Sequence, residues 1–138
     1  MKKIIIIILF LPTIIIAKSW KVERVNDYYI LKHQSLKKHS YQIFHESGLP
    51  KFRNEKKINS SFTLIIYEAG SSGTSMPVTT VRAIILDSKT MSYIGDAPYA
   101  YESKGSYEIV QPKWNITNKQ IIVNDEEEGS KKAFKSSK

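Results

Sequence analysis

SFTLIIYE, Ser61–Glu68, is the stretch whose reading decides the fold. Phe62, Leu64 and Ile66 alternate onto one face of an extended strand, and Ile65 and Tyr67 onto the other. A strand that is apolar on both faces needs cover on each side, so it belongs at the centre of a sheet. Val78–Leu86 is the second central strand. Val81, Ala83 and Ile85 form its cleaner apolar face, while Thr80 and Arg82 interrupt the other.

Outward from this pair the chain continues as short strands. Tyr28–Gln34 and Ser40–Glu46 precede it, with a helix over Leu36–Ser47 closed by Gly48 as the competing reading of the second. Leu49–Asn59 carries Pro50 and four Lys/Arg and reads as a basic loop. Ala69–Pro77, AGSSGTSMP, reads as a hairpin loop. Met91–Ile94 and Tyr99–Glu102 read as two strands broken at Gly95–Pro98, and Tyr107–Val110, Trp114–Thr117 and Gln120–Asn124 close the pattern. Asn118-Lys119 is a two-residue turn between the last two. The fold class expected is mainly β: an antiparallel sandwich or partly open barrel of seven to nine strands, after an N-terminal signal helix.

The domain plan is a signal peptide over 1–17, one β-rich domain over 18–124, and a disordered charged tail over 125–138. Lys2 and Lys3 form a positive n-region, and Ile4–Ile16 is an apolar run broken only by Pro12 and Thr13. That run is too short to span a bilayer comfortably and fits a secretory h-region. We expect cleavage after Ala17 and a secreted or periplasmic product, the alternative being an uncleaved N-terminal anchor. The tail sets four acids, Asp125–Glu128, against four lysines in a Lys/Ser-rich end, neutral as a block. The chain has no cysteine, which excludes disulfides and lipid attachment through cysteine.

Charge is uneven. Residues 18–57 hold ten Lys/Arg against four Asp/Glu, a net of +6, whereas residues 58–138 hold nine of each. A basic patch of Lys37, Lys38, Lys51, Arg53, Lys56 and Lys57 would attract an anionic envelope polymer or a membrane surface. Nucleic acid is not expected, because no binding motif accompanies the charge.

Tyr93, Tyr99, Tyr101, Tyr107 and Trp114 crowd into 22 residues and could form an aromatic face for sugar rings or another envelope protein. The competing reading is cross-strand packing. His33, His39 and His45 lack zincin spacing and cysteine partners, and Gly70–Ser75 matches neither a phosphate loop nor a nucleophile elbow. No cofactor is expected. Asp87, Asp96 and Glu102 are carboxylates that spacing alone does not pair. The function expected is therefore a non-catalytic binding or accessory module of the cell envelope. A small hydrolase or lyase acting on an envelope polymer is the runner-up.

Overall fold

The two strands apolar on both faces pair with each other, and everything else is arranged around them. In the computed structural model, which describes residues 20–34, 39–73, 77–105 and 108–137, strands β5 (Phe62–Ser72) and β6 (Val78–Asp87) run antiparallel, with Leu64 opposite Ile85 and Ile65 opposite Ile84. They are the inner strands of a four-stranded sheet whose edges are β4 (Lys51–Lys57) and β7 (Tyr93–Ser103).

Each face of that sheet has its own core and its own cover. Ile65, Tyr67, Ala69, Ile84 and Leu86 pack against a three-stranded antiparallel sheet of β1 (Trp20–Val25), β2 (Tyr28–His33) and β3 (Ser40–Ile43), which contributes Trp20, Leu31, Tyr41 and Ile43. Phe62, Leu64, Ile66, Val81, Ala83 and Ile85 pack against a second antiparallel sheet, β8 (Lys113–Ile116), β9 (Gln120–Asp125) and β10 (Ser130–Lys135), through Ile121 and Val123. The alternation along SFTLIIYE thus maps onto two separate cores. The protein is all-β in its described residues, with ten strands in three antiparallel sheets.

Several expectations need correction. The segment expected to be a disordered tail contains strand: Asp125 ends β9, residues 126–129 turn with Gly129 at φ +62°, and β10 pairs along β9 from Ser130–Asp125 to Lys135–Gln120. Phe134 packs on the central core against Gly95, where an added Cβ would run into its ring. One ring and the ladder hydrogen bonds hold a strand that composition marks as solvated. Among the described residues the strands number ten, above the expected seven to nine.

The basic stretch expected to be a loop contains β4, a charged edge strand of the kind that discourages edge-to-edge pairing. β7 runs unbroken through Gly95 and Pro98, because an edge strand tolerates a residue with no N–H to donate. No helix occupies residues 40–47, and residues 108–112 carry no strand. The signal segment 1–17 lies outside the described residues.

Candidate functional site

Arg82 is the residue that breaks the apolar alternation of β6, and the site forms around it. It lies opposite Tyr67 on β5, on the face that packs against β1–β3. That covering sheet sets β1 beside β4, where Trp20 Nε1–H donates to Glu55 at 3.1 Å, and ends at β3. Beyond the β3 edge the central sheet is open over β6 and β7. The result is a cleft of about 700 Å3 lined by Gln42, Phe44, Arg82, Tyr93, Asp96 and Lys132 among others.

The floor of the cleft is a linked polar network. Arg82 Nε–H donates to Asp96 Oδ1 at 2.6 Å, and the guanidinium also reaches Glu128 at 3.2 Å. Tyr67, fully buried, donates its O–H to Asp96 Oδ2 at 2.6 Å and accepts the Phe44 backbone N–H at 3.2 Å. Both carboxylate oxygens of Asp96 are therefore occupied. Burial pushes the Asp96 carboxyl above its ordinary value, against the pull of Arg82 and Tyr67. Burial works against the Arg82 charge, but Asp96 and its hydrogen bond outweigh that, and the guanidinium is held above its usual range. Burial, then Asp96, raises the Tyr67 phenol, which stays a proton donor at neutral pH.

The rim is aromatic. Phe44 is 49% exposed and Tyr93 53%, the two most exposed rings among the described residues. The Arg82 guanidinium carbon lies 4.8 Å from the Phe44 ring centroid, a cation–π contact. Tyr93 stacks on Tyr41 at 6.3 Å, and burial raises its phenol as well. Lys132 of β10 closes one wall and makes no ion pair among the described residues.

The residues singled out from sequence are dispersed rather than assembled. Of the aromatic face, Tyr93 stands at the cleft, while Tyr99 and Trp114 form an edge-to-face pair on the opposite side of the central sheet, 5.6 Å between centroids. Tyr101 donates its O–H to Asp125 at 2.6 Å, and Tyr107 lies outside the described residues. Plain alternation would set Tyr93, Tyr99 and Tyr101 on one face of β7, but the register shifts beside Pro98 and next to Tyr93 turn Tyr99 to the opposite face.

The basic patch is divided as well. Lys56 lies opposite Leu64 and Lys57 opposite Thr63, so they project to opposite faces, and Lys51 lies opposite Glu68. Arg53 is committed to a bidentate pairing with Glu102, at 2.6 Å through both terminal nitrogens, and to Glu68 at 2.7 Å. The Glu102 hydrogen bond is the main reason that its guanidinium is held above its usual range. Lys37 and Lys38 lie outside the described residues.

The histidines diverge. His33 is buried edge-on to Trp20, His39 lies 3.4 Å from the Tyr41 hydroxyl, and His45 meets the Tyr29 ring. Among the described residues no three His, Cys, Asp or Glu side chains gather as metal ligands.

Sequence reasoning missed Phe44, Arg82 and Lys132 as site residues. The signal for Arg82 was present: a guanidinium between apolar neighbours in a central strand needs a buried partner. Compared with protein-family models, curated proteins and solved structures, the chain matches none.

Proposed function

We propose that this chain is an exported, non-catalytic binding or accessory module of the cell envelope, and that it holds a glycan bearing acidic groups in the cleft beside β3. We read its three sheets as a stacked sandwich rather than a barrel, since each outer sheet packs on its own face of the central one. The signal segment over 1–17, cut after Ala17, would deliver it to the periplasm or the exterior.

One observation carries the binding reading. Two exposed rings, Phe44 and Tyr93, flank a floor whose polar groups hold one another in place. Exposed rings beside fixed donors and acceptors suit the flat apolar faces and hydroxyl edges of sugars. Lys132 supplies a charge for an acidic substituent. The hydrolase or lyase reading is less well supported: both oxygens of Asp96 are engaged, and the Tyr93 phenol at the rim is raised by burial, which opposes its acting as a base.

Calorimetric titration with uronic-acid oligosaccharides and their neutral counterparts tests this. Phe44→Ala and Tyr93→Ala should each weaken uronate binding at least tenfold, and Lys132→Glu should remove the preference for the acidic sugar. Undiminished binding by both ring variants would remove the cleft from the account, and release of cleaved sugar would favour the enzyme.

A further inference from the structure

The central sheet has a second uncovered stretch, on the face away from the cleft. There a groove of about 400 Å3 opens between β4–β5 and β8, walled by Ile58, Leu64, Tyr99, Trp114 and Ile116, with the exposed Lys56 at its mouth. The polar groups beside these walls are already paired. Trp114 donates its indole N–H to the Pro98 carbonyl at 3.0 Å and turns carbon toward the groove. The Gln111 amide accepts from the Tyr101 N–H and donates to the Tyr101 carbonyl, both at 2.8 Å.

The charge at the mouth is not neutralised. Glu68 and Glu102, carboxylates on this face by strand alternation, are both held by Arg53 further along β4. Glu55, next to Lys56 in sequence, projects to the opposite face and accepts from Trp20. Lys56 makes no ion pair among the described residues. An apolar slot with one unpaired cation at its opening complements a molecule with an apolar chain and one anionic head.

We propose that this groove binds a single-chain aliphatic carboxylate, its chain along Tyr99, Trp114 and Ile116 and its head group at Lys56. The site is separate from the glycan cleft and does not depend on that reading.

The protein carries its own reporter, because its two tryptophans fall on opposite faces: Trp114 in the groove, and Trp20, 3% exposed, in the other core. The full chain is titrated with dodecanoate, dodecanol and dodecyltrimethylammonium below their micellar concentrations, following tryptophan emission. Dodecanoate should give a saturable change that Trp114→Phe abolishes. Lys56→Glu, an exposed change that should leave the melting curve intact, should weaken dodecanoate at least tenfold and admit the ammonium amphiphile instead. Between octanoate and dodecanoate, affinity should rise about two- to fourfold per methylene, as expected for partial to full withdrawal of each CH2 from water.

Equal responses to all three head groups, or a dodecanoate affinity unchanged in Lys56→Glu, would overturn the proposal. So would sedimentation showing a dimer without amphiphile that Lys56→Glu dissociates, since a second copy would then be the occupant.

Discussion

Arg82 and Asp96 show what one charged pair does when placed in an apolar sheet. The Arg82 side chain is 7% exposed, so its charge is tolerable only because Asp96 and Glu128 meet it. Removing one member leaves the other buried with its partner gone. Asp96→Ala should therefore cost about 3–5 kcal/mol in chemical denaturation. Tyr67→Phe deletes one hydrogen bond to Asp96 and the acceptor of the Phe44 N–H, and should cost about 1–3 kcal/mol. An Asp96→Ala loss under 1 kcal/mol would mean that Arg82 reaches solvent.

Asp87 carries a second residue-level prediction. It ends β6, and its carboxylate accepts the backbone N–H of Lys89 at 2.9 Å, that of Thr90 at 3.0 Å, and the Ser137 hydroxyl at 2.8 Å. The Thr90 N–H and then the Ser137 hydroxyl hold its carboxyl below the ordinary carboxylate value. The folded chain thus prefers the ionised form, and this contribution is complete above the unfolded value near 4 and disappears as pH falls through the depressed folded value. Asp87→Asn should lower Tm at neutral pH, with the gap to the parent narrowing as the solution is acidified below the unfolded value. A gap that stays constant down to pH 2 would show that the charge is not involved.

At the scale of strands, legibility followed side-chain alternation. β5 and β6 were readable because burial on two faces writes apolar residues at consecutive positions, and Phe62, Leu64, Ile65 and Ile84 are all buried. β1, β4 and β10 were not, because strands at the margins alternate weakly and carry charge: Lys-Val-Glu-Arg in β1, Arg-Asn-Glu-Lys-Lys in β4, Lys-Lys-Ala in β10. Each pairs with the strand next to it in sequence, β1 with β2, β4 with β5 and β10 with β9, through backbone hydrogen bonds that side-chain composition does not encode.

β10 can be tested directly through Gly95. A Cβ there would overlap the Phe134 ring, so Gly95→Ala should cost about 1–3 kcal/mol. Much of that cost should vanish in the Phe134→Ala background, a coupling measurable by a double-mutant cycle. Additive effects would mean that β10 does not dock on β7.

For the molecule as a whole, two three-stranded sheets each leave part of a four-stranded sheet uncovered, on opposite faces. One opening is polar with aromatic rims and the other apolar with a lone cation. The cleft could not be read from the sequence because its residues come from β3, β6, β7 and β10, and no local spacing joins Phe44, Arg82, Asp96 and Lys132. Charge counting pointed instead to β4, where Arg53 is already paired and Lys56 and Lys57 face apart.

The most direct test of the account is amide chemical-shift mapping of the isotopically labelled protein as a uronic-acid oligosaccharide is added. Saturable shifts should gather at Gln42, Phe44, Tyr93, Asp96 and Lys132, with β4 unmoved. Shifts centred on Lys51, Lys56 and Lys57, or no shifts at millimolar sugar, would contradict the assignment of the cleft as the binding site.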